Sequence, residues 1–370
     1  MSQQEWPSWL PLRSDLRGMS AYGAPQLPSI AQLNTNENPY PPSGELIDAI
    51  ARKVKEVASS LNRYPDRDFI ALRKGLANFL NTRSGTHMSE QNIWAANGSN
   101  EIIQSLFLAF GGESALGFTP SYSMHPLIAQ VTGTPWVNGV RNPDFSLEVE
   151  DASQQIRATR AKLVFITTPN NPTGTAIALH DIESLVIVAA EVSALLVVDE
   201  AYAEFSSELS AITLLDKYPN LVVIRTMSKA FAFAGARVGY LAANKKVVNA
   251  LQLVRLPYHL SAITQAVALV ALDHSEELLA NVATLIADRE RMVSELKGLG
   301  AEVIASSANF LLFAVPSSKE IWNSLLEQGV LVRDVGLSGY LRVSIGNAVE
   351  NQRFIDSLAT SLGKSQGGNI

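Results

Sequence analysis

The chain has 370 residues, 47% of them apolar and 17% charged, with a net charge of −6 at pH 7 and no cysteine. That length holds one large α/β unit and a smaller one, and the composition excludes a disordered or fibrous chain. The lack of cysteine excludes disulfides, thiolate metal sites and a thiol nucleophile, and the acidic surplus gives no overall attraction to nucleic acid or an anionic membrane.

Residues 1 to about 33 carry scattered prolines with Trp6, Trp9 and Tyr22, which predicts an arm packed on the body or on a neighbouring subunit. The start lacks the basic and apolar pattern of a signal peptide, and the most apolar stretch, Leu185 to Val198, is broken by Glu191 and Ser193. A cytoplasmic protein that does not enter the membrane is expected. Leu33 to Pro42 is rich in turn formers and predicts a loop, after which Ser43 caps a helix with Leu46, Ile47, Ile50 and Val54 on its apolar stripe. A second helix is predicted from Phe69 to Leu80.

Ile93 to Ala96 predicts a short strand that turns at Asn97-Gly98-Ser99-Asn100 into a helix carrying Ile102, Ile103, Leu106 and Phe110. A helix start offers free N–H groups and the positive dipole end, so Ser99 and Asn100 are candidates for a phosphate. An ordinary capped helix start is the alternative. Tyr122 follows another apolar segment, where it can stack on a ring or simply pack.

Three further strands each end in polar residues. Leu163 to Thr167 runs into Pro169-Asn170-Asn171-Pro172-Thr173-Gly174, Leu195 to Val198 into Asp199-Glu200-Ala201-Tyr202, and Leu221 to Ile224 into Thr226-Met227-Ser228-Lys229. Strands alternating with helices, such as the one predicted from His180 to Val192, imply a parallel sheet buried on both faces, with ligands beyond its carboxyl ends. From Ser261 the pattern is mainly helical, with a long charged, leucine-rich segment from about Glu276 to Leu299 that can bridge two domains. Short strands (Asn309 to Val315, Leu331 to Arg333, Tyr340 to Gly346) and a helix (Ile321 to Gln328) predict a small α+β domain, with a loose tail from Lys364. The expected division is an arm (1–33), a large domain (34–275) and a small one (276–370).

A lysine at the end of a buried strand is poorly solvated, which lowers its pKa and makes Lys229 a competent amine nucleophile towards a carbonyl. Thr226, Ser228 and Arg237 beside it suit a phosphate. Together they describe a pyridoxal phosphate site. Asp199 would pair with the pyridine nitrogen and keep it protonated, and Tyr202 and Asn171 can donate to the ring oxygen. The rival motifs are missing: the chain contains no G-x-x-x-x-G-K-[ST] loop, no G-x-G-x-x-G after a strand and no G-x-S-x-G. Histidines 87, 125, 180, 259 and 274 show no metal-binding spacing and are expected at the surface or in packing. A Ser228–Lys229 hydrolytic pair would leave Asp199, Tyr202 and Asn171 unemployed.

At these positions the chain resembles the fold-type I pyridoxal phosphate-dependent aminotransferases, and among them the histidinol-phosphate aminotransferase family. The resemblance runs from Leu33-Asn-Thr-Asn-Glu-Asn-Pro and Tyr64-Pro-Asp through Asn97-Gly-Ser-Asn-Glu, Asn171-Pro-Thr-Gly, Asp199-Glu-Ala-Tyr and Ser228-Lys229 to Arg342. It implies a mostly parallel central sheet sandwiched by helices, with a smaller α+β domain. It also implies pyridoxal 5′-phosphate condensed with Lys229, paired with Asp199, contacted by Tyr202 and Asn171 and stacked by Tyr122. Ser99, Asn100, Thr226, Ser228 and Arg237 would hold its phosphate, with Tyr64 reaching it from the other subunit of a homodimer. The activity implied is ping-pong amino transfer between L-histidinol phosphate and 2-oxoglutarate, without a metal. Arg342 is the candidate for the glutamate carboxylate, and Tyr22, Arg333 and Arg342 for the substrate phosphate; a structural ion pair is the alternative for Arg333. An aromatic aminotransferase would use the same catalytic set, and a non-catalytic cofactor-binding regulator is the remote alternative.

Overall fold

Short unbroken runs of valine, isoleucine and leucine favour strands buried on both faces, and the chain places several of them between stretches with helical periodicity. The computed structural model describes residues 6–366, with side chains as far as residue 363. The arm ends in β1 (Ala31–Gln32), followed by α1 (Gly44–Ala58) and α2 (Ile70–Ser84). An alternation then runs β2 (Ile93–Ala96), α3 (Ser99–Phe110), β3 (Ala115–Thr119), α4 (Met124–Thr132), β4 (Trp136–Val140), α5 (Val149–Thr159), β5 (Leu163–Thr167), α6 (Leu179–Glu191) and β6 (Leu195–Asp199). After β7 (Leu221–Thr226), β8 (Gly239–Ala243), α7 (Lys245–Val254) and α8 (Ala262–Asp273) comes the long α9 (Ser275–Gly298). The chain closes with β9 (Glu302–Val303), β10 (Phe310–Ala314), α10 (Ser318–Glu327), β11 (Val330–Leu331), β12 (Tyr340–Ser344) and α11 (Ala348–Gln366).

Seven strands form one sheet in the order β2-β8-β7-β6-β5-β3-β4. Pairs from β7 to β4 are parallel, while β8 runs against both β2 and β7. Because β8 alone is reversed, the carboxyl ends of β2, β3, β5, β6 and β7 share one edge. Register fixes the details there: Thr167 lies beside Asp199, and Gly239 beside both Ala96 and Thr226. Leu163, Val164, Leu196 to Val198 and Leu221 to Ile224 have no solvent contact, as strands covered on both faces require.

A second, antiparallel sheet has the order β12-β10-β9, and β1 pairs in parallel with β11. The arm therefore ends within the smaller layer system. Farther forward it lies on α4, where Arg13 Nη1 donates to Val131 O at 2.9 Å. Helix α9 buries Leu278, Val282, Leu285, Met292 and Leu296 at intervals of three, four or seven residues, one continuous stripe for a helix of this length.

Several expectations shift. Ser43 caps α1, its Oγ accepting from Leu46 N at 3.1 Å, but Ile47 on the predicted stripe is 52% exposed. Strands β4 and β8 were not expected, because Trp-Val-Asn-Gly-Val and Gly-Tyr-Leu-Ala-Ala have weak strand propensity and are held by neighbours in the sheet. The strand expected to reach Arg333 ends at Leu331, leaving Arg333 in one isolated bridge with Arg342. The tail expected to be loose from Lys364 stays helical to Gln366, and its Gly367 and Gly368 lie outside the described residues. Among the described residues, no helix is long and apolar enough to cross a membrane.

Candidate active site

At the shared carboxyl edge, the loop after β7 is anchored by Met227, Ala230 and Phe231, none of them exposed. Burial of the two larger side chains, about 1.5–3 kcal/mol each, holds this loop and leaves Lys229 facing a cavity of ≈ 620 Å³. Lys229 Nζ donates to Thr35 O at 2.8 Å. Burial lowers its pKa to about 8, with the charges of Arg342 and Arg237 reinforcing the shift and Glu37 opposing it. The amine stays mainly protonated at pH 7, but its neutral, nucleophilic fraction is far larger than that of an ordinary lysine.

The end of β6 places Asp199, 2% exposed, in the same cavity. Its Oδ1 accepts from Ala201 N at 3.2 Å, and its Oδ2 lies 3.2 Å from His125 Nε2. His125 is a packing residue, one of the two places expected for the histidines: it is 1% exposed and packed against Phe165, with Tyr122 edge-on at 5.4 Å, and its contact with Asp199 was not expected. Tyr122 also donates to Asn100 Oδ1 at 3.1 Å, and burial raises its pKa. Tyr202 is buried against Phe310 and accepts from Asn36 Nδ2 at 3.0 Å; burial keeps its phenol protonated, well above its ordinary range.

One end of the cavity is a cradle for an anion. Helix α3 begins at Ser99 without a side-chain cap, so its first N–H groups face the cavity that Ser99, Asn100, Thr226, Ser228 and Arg237 line. The close approach depends on two glycines. A Cβ on Gly98 (φ +87°) would meet Arg237 Nη2 at 2.5 Å, and one on Gly239 would meet the Gly98–Ser99 backbone at 2.3 Å. The Thr226 hydroxyl accepts from Ser228 N at 3.1 Å and donates to Ser228 Oγ at 3.0 Å, which turns the loop towards the helix end.

Another part of the lining comes from β12, the loop before it and the arm with the segment that follows it. Arg342 is 7% exposed; it donates through Nη2 to Asn34 O at 2.7 Å and through Nη1 to Asn171 Oδ1, while its Nε has no partner. Burial lowers its pKa to about 10, and the nearby Arg333 charge adds to the effect. Arg333 joins no ion pair among the described residues; its guanidinium lies 5.9 Å from the Tyr22 ring centroid. Lys229, Arg237, Arg333 and Arg342 face Glu37, Asp199 and Asp334 across the cavity, so an acidic chain has a locally cationic site.

The cavity therefore brings together every predicted site residue except Tyr64. That side chain is 81% exposed and stacks on Tyr258 with ring centroids 4.4 Å apart. The sequence reading missed Thr35, Asn36 and His125. The signal for His125 was its spacing, three residues after Tyr122 at a helix start. Thr35 and Asn36 lay in a stretch legible only as a loop.

The residues fit pyridoxal 5′-phosphate. A glycine-shaped cradle and helix end suit the phosphate, a depressed lysine suits the aldehyde, and a buried carboxylate suits a pyridinium. A family model described as aminotransferase class I and II matches residues 28–358. The histidinol-phosphate aminotransferase of Mycobacterium sp. (strain JLS) is 53% identical over 368 residues, covering 96% of this chain and 97% of that protein. The enzyme of the same name from Nocardia farcinica is 54% identical over 350 residues, covering 94% and 90%. Among solved structures, histidinol-phosphate aminotransferase from Sinorhizobium meliloti in complex with pyridoxal-5′-phosphate superposes with a TM-score of 0.83 at 22% identity, covering 96% of this chain and 98% of that one. At that identity it shows the fold alone.

Proposed function

The chain belongs to the class I and II aminotransferase family, and from that premise we propose that it moves an amino group between L-histidinol phosphate and 2-oxoglutarate, as a step of histidine biosynthesis. The observation that carries this reading is the second cationic end of the cavity. Among the described residues, Arg342 is buried with an unpartnered Nε and Arg333 sits over Tyr22 without a carboxylate partner, and Lys229 shares the cavity with both and with the helix end. Both proposed substrates are anions that fit such an end. The relatives at 53–54% identity that bear the name histidinol-phosphate aminotransferase support the same choice.

When bound, pyridoxal phosphate supplies an aldehyde for the amine and a protonated ring that withdraws electrons from the adjacent carbon. In this reading Ser99, Asn100, Thr226, Ser228 and Arg237 hold its phosphate, Asp199 keeps the ring nitrogen protonated, and Tyr122 covers the ring face. Tyr202 and Asn171 contact the ring oxygen. Lys229 acts first as the nucleophile and then as the base and acid that moves a proton at the substrate carbon. Arg342 orients the glutamate carboxylate, and Tyr22 and Arg333 join it on the substrate phosphate.

The same proposal makes the enzyme a cytoplasmic homodimer in which Tyr64 completes the partner's phosphate site. Its exposure, with Leu253 at 86% and Leu256 at 76%, supports an unsatisfied apolar surface around that tyrosine. The division into arm (1–33), large domain (34–275) and small domain (276–370) belongs to this reading too. The seven-stranded sheet falls wholly within 34–275 and the three-stranded sheet within 276–370, which supports the division between the two domains. The test is a substrate panel read as kcat/KM: L-histidinol phosphate should exceed L-phenylalanine and L-tyrosine at least tenfold, and the reverse order would assign the chain to aromatic substrates.

A further inference from the structure

The peptide unit joining Thr35 to Asn36 meets two of the cavity's functional side chains. Thr35 O accepts from Lys229 Nζ at 2.8 Å, and the Asn36 side chain donates to the Tyr202 hydroxyl at 3.0 Å. Asn36 is 1% exposed and has φ +54°, a left-handed conformation in which asparagine and aspartate are enriched. Its carbonyl is held by Asn309 Nδ2 at 3.1 Å.

The direction of each hydrogen bond follows from the atoms available. Asn36 N can only donate, and it lies 2.8 Å from Ser344 Oγ, so the serine oxygen accepts there. The serine hydrogen is left for Asn36 Oδ1, 3.0 Å away. With Oδ1 turned to Ser344, the NH2 end faces Tyr202, whose oxygen becomes an acceptor in that contact. The Tyr202 hydrogen is excluded from it and remains for a group in the cavity that the tyrosine lines.

We propose that Asn36 is a positioning residue: it fixes Tyr202 as a hydrogen-bond donor towards the ring oxygen of the bound cofactor, and it ties that donor to the placement of β12 through Ser344. The inference rests on the reading that Tyr202 faces that oxygen. A donor at the ring oxygen stabilises the ionised oxygen and favours release of the proton from the nitrogen that Lys229 contributes. Asp199, Arg342, Arg237, Glu37 and Tyr22 also bear on this equilibrium, and they are unchanged in the variants below.

The experiment is a pH titration of the visible absorbance of the cofactor-loaded, substrate-free protein. Asn36→Asp keeps the left-handed backbone but offers only acceptors, so Tyr202 would turn its hydrogen to the new carboxylate. The apparent pKa should rise by about one to two pH units, the equivalent of one hydrogen bond to a charged group. Tyr202→Phe should raise it similarly. In the Tyr202→Phe background, Asn36→Asp should shift the titration by about one to two pH units less than it does in the parent protein, because the hydrogen-bond part of its effect is already gone. The new carboxylate's own charge acts in both backgrounds and cancels in this cycle.

An undiminished Asn36→Asp shift in the Tyr202→Phe background overturns the inference while leaving the role of Tyr202 intact. A silent Tyr202→Phe overturns the reading of Tyr202, and the inference with it. Should Asn36→Asp fail to fold, Ser344→Ala frees the amide orientation. It should give a smaller rise that vanishes without Tyr202; a titration matching the parent protein overturns the link to β12.

Discussion

Replacing Arg342 by lysine separates charge from geometry at the proposed anion end. The guanidinium has five N–H groups, of which two are engaged by Asn171 Oδ1 and Asn34 O, while Nε has no partner among the described residues. Lysine has three hydrogens, so after serving the same two acceptors it keeps one for a substrate anion. Arginine keeps enough donors for a bidentate pairing and lysine for a single bond, so one charged hydrogen bond to the anion is lost, roughly 1.5–3 kcal/mol, or roughly 10- to 150-fold in kcat/KM. The assay is steady-state kinetics in both directions, with L-histidinol phosphate and with glutamate. Cofactor absorbance and a thermal melt verify that the site is still assembled. If kcat/KM for both anions stayed within threefold of the parent enzyme, Arg342 would be a structural residue and the assignment of the anion end would be wrong.

The pKa of Lys229 predicts a pH-dependent stability in the cofactor-free protein. Its folded value of about 8 lies below the ordinary 10.5, so the unfolded chain binds more protons between these limits and stability rises with pH across that window. Lys229→Met should therefore be more stable than the parent at pH 7, with the difference closing towards pH 10.5 in urea titrations; a difference independent of pH would refute the burial argument. Gly98→Ala puts a methyl group 2.5 Å from Arg237 Nη2 at a φ of +87°. It should weaken cofactor binding at least tenfold by equilibrium dialysis, and unchanged affinity would remove the cradle from the phosphate. Mixing Tyr64→Ala and Lys229→Ala chains should restore up to about a quarter of the parent activity in hybrid dimers if Tyr64 acts across the subunit contact. No recovery from mixed dimers would place Tyr64 outside the neighbouring site.

Much of the site was legible because its residues cluster in short segments. Asp199 and Tyr202 flank one strand end, Thr226, Ser228 and Lys229 end another, and a parallel sheet carries both ends to one edge. Ser99 and Asn100 were legible as a helix start, whereas the close approach of Arg237 to Gly98 beside it was not. Asn36 was hidden for a physical reason. Asparagine in a turn-rich stretch is the usual solvent-facing residue of a loop, and its partners Ser344 and Asn309 are roughly 270 to 310 residues away in the chain. His125 was expected at the surface or in packing because the histidines lack metal-ligand spacing, and its partner Asp199 lies 74 residues away in the chain. Strands β4 and β8 escaped because glycine, alanine and asparagine form strands there only through pairing with neighbours.

Local order determined what each segment can be: which runs are strands, where helices start, and which polar groups end each strand. Hydrophobic periodicity and turn chemistry act over a few residues, so the one-dimensional pattern suffices for them. The fold decided which distant groups share a cavity. It set Arg342 and Arg333 in one cavity with the helix end, placed His125 against Asp199, and turned a loop amide towards Tyr202. Such contacts depend on long-range packing, which no local pattern encodes.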